Sequence, residues 1–587
     1  VWIAESDDLC EIDFLERIVP AFERESVLLS YGDIQYIDED DTCSPGLDDY
    51  RKSTGYDIWN KPYREPAQLQ FAGPFGIKNI IANVSGAVFR RPFLSKEFIE
   101  YLSGLKVCGD WIFYMNVARG GDIHYTPAAK SYFRQHRRNT SVTALKTRGY
   151  YEEHGKVAWN LRDFYGLDAP VLSTMKEKVR ETCLYVFDGE QRLFSFDDAY
   201  DGAFAAPARM PRLNIMIASL GFYLGGGEIV PIHMANALHR HGHNVTFFAL
   251  GHDGLPDEPG VREMLAPGIA VLRKGDIVRD PGLLHDYRFD IVNSHNIGIE
   301  YFFEELRQRG IALPKYVVTH HGSYEAATPA DELLKAFAAF TDHWIYLAGK
   351  NLTPLERAGI DISRATKCAN GLSLNEPTDA VTRADLGIAD DAFVCVLASR
   401  ALPEKGWSTA LKAVEKLNAR ACSRPVHLLL LGDGPEYDRL GAQTLPSFVR
   451  LLGFRKDAPQ FYRLADVGLL PTTYVGESFP LSLVECLLAG RPCIATDIGE
   501  IRNMLADDNG GYAGIVLPFL SKTDPVETLA DAIARLCDDT AFHAACTASA
   551  VAVSGRYGID NVVKHYENIF RQVCSPGRST FLARTVL

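Results

Sequence analysis

The sequence predicts an α/β protein: a pair of doubly wound lobes preceded by a partial, mixed α/β domain. Three observations predict it. From Leu213 onward, apolar runs of strand length alternate with amphipathic helical stretches, the pattern of parallel sheets covered by helices. The alternation restarts near residue 392, which implies a second lobe and a ligand cleft between the two. Before residue 150 strands and helices mix irregularly, and clustered acidic residues close the first strand.

Val1–Ala4 reads as a strand, and Leu9 to Phe22 has helical spacing, with Leu9, Ile12, Leu15, Ile18 and Val19 on one side. Residues 38–74 are polar and rich in proline and glycine, which predicts a long loop. Val84–Phe89 is strand-like, Trp111–Ala118 helical, and residues 150–195 mostly helical. Ser195–Pro211 lacks amphipathic period and reads as a linker. Then come strand Leu213–Ser219, a turn at Gly225-Gly226-Gly227, helix Glu228–His241 and strand Val245–Leu250, with further strands at Ile291–Asn293 and Tyr316–Thr319. The second series comprises strand Phe393–Ala398, helix Gly406–Asn418, strand His427–Leu431, helix Asp433–Gly441 and strands Val467–Leu470 and Cys493–Ala495. The predicted domains are 1–150, a helical extension and linker over 151–205, and lobes over 206–375 and 376–587.

The 587 residues are 47% hydrophobic and 23% charged, which excludes a disordered or fibrous chain. A net charge of −14 argues against nucleic acid and an anionic membrane surface as partners of the chain's overall field. No apolar run is long enough to span a membrane. Twelve cysteines stand without a Cys-x-x-Cys pair, which points to reduced thiols and a cytoplasmic setting. No stretch reads as a signal peptide. The chain begins at Val1, inside an apparent strand, so the expectation is a fragment whose natural start lies upstream.

Doubly wound sheets bind ligands at the carboxyl ends of their strands. There, Gly226 and Gly227 open a helix, and their backbone either approaches a phosphate or makes only a tight turn. His295 and His320-His321-Gly322 also close strands. Arg400 follows Phe393–Ala398, and Lys405 stands just before Gly406, so both cations can meet at one helix start. Such a pair stabilises the diphosphate that leaves a nucleotide sugar, or else is a solvated surface pair. Glu477-Ser478-Phe479-Pro480 leads into an apolar helix that carries Glu485. A carboxylate accepting two hydroxyl hydrogen bonds suits a ribose, whereas a lone glutamate near a helix start needs only the helix dipole.

With these residues in place, 211–570 resembles a retaining glycosyltransferase of family 4, with the GT-B pair of Rossmann-like lobes. The resemblance rests on the glycine turn, His321, Ser399-Arg400 through Lys405-Gly406, Leu431-Gly432-Asp433-Gly434-Pro435, and the two glutamates. It implies that Gly226, Gly227, Arg400, Lys405, Gly434 and Glu485 bind the nucleotide-sugar donor, the cations at its diphosphate and Glu485 at its ribose. It implies Glu477 beside the donor sugar and His321 near the anomeric carbon, with no metal cofactor for this half.

In the first half, Glu5-Ser6-Asp7-Asp8 ends a strand. Carboxylates there either hold Mg²⁺ or Mn²⁺ against a diphosphate or cap a helix near Leu9. Gly109-Asp110-Trp111 opens a helix, and Ser131-Tyr132-Phe133-Arg134-Gln135-His136 follows a strand. Together these resemble the later part of a family 2 glycosyltransferase, with the GT-A fold, over roughly residues 1–145. The resemblance implies Asp7 and Asp8 as metal ligands, although Glu5 stands where Asp is usual. It implies Asp110 as the base that deprotonates the acceptor hydroxyl, with Trp111 beside it to stack on a sugar. Arg134 and His136 would lie near the diphosphate and Asn83-Val84-Ser85-Gly86 on the acceptor side. Asp110 serving only as a helix cap is the alternative.

The expectation is a bifunctional glycosyltransferase in bacterial surface polysaccharide synthesis. An inverting, metal-dependent module would precede a retaining one, both using nucleotide sugars and glycan or lipid-linked acceptors at the inner membrane face. The rivals are a first half that only binds glycan or scaffolds partners, and a GT-B phosphorylase carrying pyridoxal phosphate.

Overall fold

In a computed structural model, residues 1–575 are described except 45–46, 136–142, 168, 189–192, 205–211, 224, 253–254, 323–328, 374–380, 421–422 and 520–523. Two compact units make up the chain. One comprises Val1–Tyr223, Ala235–Ser294 and Glu305–Tyr316; the other comprises Leu224–Met234, His295–Glu304 and Val317–Leu587.

The first unit opens with a six-stranded mixed sheet: β1 (Leu9–Cys10), β2 (Val27–Ile37), β3 (Cys43–Ser44), β4 (Tyr63–Pro66), β5 (Ala87–Phe89) and β6 (Asp122–Arg134). β2 and β6 run parallel at its centre, and the short strands pair antiparallel at their flanks. Three expectations change here. Val1–Ala4 contributes only a bridge from Trp2 to Val88. Leu9–Cys10 is a strand, and the helix starts at Phe14. The stretch 38–74 contains β3, β4 and two short helices, Leu47–Lys52 and Ala67–Phe71. Arg51 draws this polar stretch inward. It is fully buried, with its guanidinium 5.5–5.6 Å from the ring centres of Tyr31, Trp59 and Tyr125, and it donates to the Ile80 carbonyl at 3.2 Å. Cation–π attraction and a carbonyl partner offset the burial of a charge that periodicity reads as surface.

Helices Arg148–Tyr165 and Ala169–Val186 follow as expected. Part of the expected linker is a helix, Phe196–Phe204. Gly155 lets it approach Arg148–Tyr165 closely, since a Cβ there would lie 2.2 Å from the Tyr200 carbonyl oxygen. Phe196 and Tyr200 join the aromatic core of the first sheet. The rest of that linker, 205–211, lies outside the described residues.

The second sheet contains β7 (Asn214–Ser219), β8 (Asn244–Ala249), β9 (Ala270–Arg273), β10 (Ile291–Ser294), β11 (Lys315–His320), β12 (His343–Tyr346) and β13 (Ala365–Lys367), ordered β13-β12-β11-β10-β7-β8-β9. The third contains β14 (Phe393–Ala398), β15 (Val426–Leu431), β16 (Val449–Gly453), β17 (Val467–Leu470), β18 (Cys493–Thr496) and β19 (Gly514–Leu517), ordered β16-β15-β14-β17-β18-β19 and parallel throughout. Each sheet reverses its strand order once, beside its first strand. In such sheets the crevice at that reversal, past the carboxyl ends, takes the ligand. In the third sheet this is the end of β14 and β17; in the second, the end of β7 and β10.

Within the first unit, the first sheet is docked on the β7–β8–β9 edge. Arg119, 2% exposed, donates to the carbonyls of His239 and His243, both at 3.1 Å. Thr246 Oγ1 donates to the Gly120 carbonyl at 2.6 Å, and a Cβ on Gly120 would lie 2.6 Å from Val245 O. Tyr287 donates to the fully buried carboxylate of Asp122 at 2.6 Å. Glu25 pairs with both Arg262 and Arg273.

Candidate active site

Three loops meet at the reversal point of the third sheet, and glycines let them close. Gly432, at φ 135°, lies where a Cβ would sit 1.9 Å from Ser399 O. A Cβ on Gly434 would sit 3.1 Å from Ala401 O, and one on Gly406 2.5 Å from Pro471 O. The loops after β14, β15 and β17 are thereby drawn together. Lys405 is buried there. Its Nζ donates to Glu477 at 2.5 Å and lies 4.8 Å from the Tyr474 ring centre. Arg400 is exposed, with no carboxylate partner among the described residues. The two cations thus share one locus in different states, one paired and one open.

Helix Leu481–Leu488 begins after Pro480 and ends before Gly490, as expected. It carries Glu485, whose carboxyl is pushed up to about 7 by burial. No side-chain donor reaches it among the described residues, so a ligand hydroxyl would meet an unspent acceptor.

The same unit brings the other expected residues to this loop. A Cβ on Gly226 would lie 3.3 Å from the Leu481 side chain, while Gly227 faces open space. Gly322, at φ 95°, lies 3.1 Å from Ser478 Oγ by the same measure. Asn351 donates to Ser478 Oγ at 3.2 Å, and Lys350 to the Val475 carbonyl at 2.9 Å. His321, beside Gly322, is bonded to His295, Nε2 to Nδ1 at 2.9 Å, with rings stacked at 5.2 Å. Burial pushes His321 down to about 4.

The second cluster belongs to the first sheet. Asp8 accepts from Asn83 Nδ2 at 2.5 Å and from the Arg134 amide at 3.1 Å. Neither Asp7 nor Asp8 caps a helix, since β1 follows them. Arg134 donates to the Asp7 and Asp38 carbonyls at 2.8 and 2.7 Å and pairs with Asp41 at 2.6 Å. It organises the acidic turn while its partners hold it. His136 lies outside the described residues.

Asp110 stands second in helix Gly109–Ala118, so it is not the cap residue, which is Cys108. The turn before the helix is fixed by Glu153, 7% exposed, which accepts from the amides of Lys106, Val107 and Cys108 at 2.8, 2.8 and 2.9 Å. Sequence reading missed Glu153, because nothing in its neighbourhood on a distant helix marks it. Asp110 accepts from Asn79 at 2.8 Å and from the Trp111 amide at 2.7 Å. Burial nevertheless pushes it up to about 7, those two bonds opposing and the Glu5 charge assisting. Glu5 is itself raised, by burial first and then by Asp8 and Asp7. Glu5 therefore feels both the Asp7–Asp8 turn and Asp110. Trp111 is corrected: it is 3% exposed, donates to the Phe75 carbonyl at 2.9 Å and belongs to the core, so it offers no face to a sugar.

Residues 224–375 match the model of Glycosyltransferase Family 4, and residues 392–539 that of Glycosyl transferases group 1. The second half carries the two domains of a GT-B glycosyltransferase. Among solved structures, Anabaena HepE in complex with UDP and glucose aligns with a TM-score of 0.50 at 20% identity, over 61% of this chain and 99% of that one. The chain is also similar to UDP-Gal:α-D-GlcNAc-diphosphoundecaprenol α-1,3-galactosyltransferase of Escherichia coli, 24% identical over 44% of this chain and 70% of that protein. A phosphatidyl-myo-inositol mannosyltransferase of Mycolicibacterium smegmatis is 33% identical over 30% of this chain and 44% of that one. The chain spans less than half the length of most curated relatives it matches.

Proposed function

We propose that the second half transfers a sugar, with retention, from a nucleotide donor to a glycan or lipid-linked acceptor in bacterial surface polysaccharide or glycolipid synthesis. The observation that carries this is the meeting of Gly226, His321, Lys405 and Glu477 around one loop. Arg400 and Lys405 face the departing diphosphate. Their charge is worth most as the bond breaks, when negative charge develops there, so they stabilise the transition state over the ground state. Glu485 accepts the ribose hydroxyls, and Glu477 turns from Lys405 toward the sugar as the diphosphate takes over the cation. Permanent cations make this half independent of metal. The E. coli and mycobacterial relatives, named for lipid-linked acceptors, support the acceptor class and a place at the inner membrane face. No described helix is long and apolar enough to cross a membrane.

The first sheet is proposed as an inverting transferase with Asp110 as base. A carboxyl near 7 titrates at the working pH, as a general base should. Among the described residues no group of three or more His, Cys, Asp or Glu gathers to hold a metal. Asp7 and Asp8 nonetheless fit Mg²⁺ or Mn²⁺, which commonly take one or two carboxylates and complete their shell with substrate phosphates. Carboxylate oxygens are the hard ligands such cations take, and Asp8 also accepts from Asn83 Nδ2. Such a cation, when bound, would neutralise the donor diphosphate.

The test is a panel of nucleotide sugars offered to the whole chain, with nucleoside diphosphate release as readout and product linkage by NMR. Release from one donor, with the anomeric configuration kept, is expected. Release from none, or pyridoxal absorbance with phosphate-dependent turnover, would replace the reading.

A further inference from the structure

His295 follows β10, at the reversal point of the second sheet, and is 1% exposed. Its Nδ1 meets His321 Nε2 at 2.9 Å, and its own Nε2 is buried with no partner among the described residues. Of the two residues only His321 is partly exposed. One of the facing nitrogens must carry the proton. Were it on His321 Nε2, the neutral His295 ring would carry its proton on Nε2 and bury an N–H without an acceptor. With the proton on His295 Nδ1, only a lone pair is orphaned, and buried N–H groups tolerate that far less than acceptors do. His295 is therefore the donor, and His321 the acceptor through Nε2, which leaves the His321 proton on Nδ1.

We infer that His295 is a positioning residue that fixes His321 as a neutral imidazole presenting Nδ1–H to the ligand. This rests on the reading of the site as a sugar-transfer centre. In that setting His321 is a fixed hydrogen-bond donor to a sugar oxygen and not a proton carrier. A proton arriving on Nε2 would face the N–H of His295 and break the pair. The lowering of both His321 and His295, set first by burial, agrees. The ionisable groups on neighbouring elements do not reverse this. His320, stacked on Trp344 at 5.3 Å, is also held neutral by burial. Glu300 in the following helix is raised well above the carboxylate range. Lys350 donates to a carbonyl, and Lys405 is paired with Glu477.

The experiment uses the whole chain labelled with ¹⁵N-histidine, with His321→Ala to assign the signal. His321 should show the Nδ1–H pattern and stay neutral from about pH 8 to pH 5. His295→Ala should return it to the ordinary Nε2–H form, while burial still holds it neutral. His295→Asn, whose amide nitrogen replaces Nδ1–H, should restore the wild-type pattern. A wild-type His321 titrating near 6.5, or an unchanged one in His295→Ala, overturns the inference. Turnover separates the two levels. With a donor identified, His295→Ala should lower kcat at least tenfold, and His295→Asn should recover it. Absence of sugar transfer in the wild type strikes the functional reading, while the spectra still decide the histidine pair.

Discussion

The first and third sheets meet the problem of a phosphorylated ligand from opposite sides. The third sheet offers permanent cations on loops that glycines at Gly406, Gly432 and Gly434 allow to close. The first sheet offers carboxylates, Glu5, Asp8 and Asp110, held by Asn79, Asn83 and the Arg134 amide, with the nearest guanidinium already engaged. Under the reading proposed above, one site receives an anion directly and the other only with a cation in between. The difference teaches that the sign of the groups at a strand end, more than the fold beneath them, decides what must accompany the ligand.

The largest break in this comparison should come from Arg400→Ala. Losing one charge stabiliser costs about 2.7–4 kcal/mol of barrier, or about 10²–10³ in kcat. Arg400 is exposed, so the fold should be untouched, and near wild-type turnover at saturating donor would refute its role. Lys405→Ala should lose as much turnover and some stability too, because Glu477 is left buried without its partner. Asp110→Asn should leave the second-half reaction unchanged and abolish transfer at the first site while donor still binds. Retained transfer there would make Asp110 structural.

Chelation sharpens the contrast. EDTA should spare turnover at the third-sheet site and stop it at the first, measured donor by donor. A smaller effect follows from Glu485. Its carboxyl ionises near 7, and the ribose needs the ionised form, so nucleoside diphosphate affinity by calorimetry should weaken as pH falls below about 7, by up to tenfold per unit. The smallest concerns stability. Because that value is raised above 4.5, ionisation costs the fold as pH climbs from about 4.5 through 7. Glu485→Gln should therefore raise Tm at pH 8 but not at pH 4.

Much of this was legible where strands are buried on both faces. β14 and β17 appear in the sequence as unbroken apolar runs with the bounds they have in the fold. The edge strands β13, β16 and β19 are short and half-exposed, and carry no such signal. Residues 38–74 misled because Arg51 is a surface residue by type and a core residue by position. The cations and glutamates of the third sheet were readable since they lie within one motif or one loop. Glu153 and the His295–His321 bond were not, because each joins residues far apart in sequence through tertiary distance alone.

The seam between the first sheet and the β7–β8–β9 edge has a consequence for how the gene can be cut. The chain's apparent joint, 205–211, separates two stretches of sequence but not two stable pieces. A break there would leave Arg119 still lodged under the His239 and His243 carbonyls, and Gly120 still pressed to Val245. Cleaved halves should remain together on a sizing column. Expressed apart, each should expose what the other covers, and a variant that enlarges Gly120 should do the same from within.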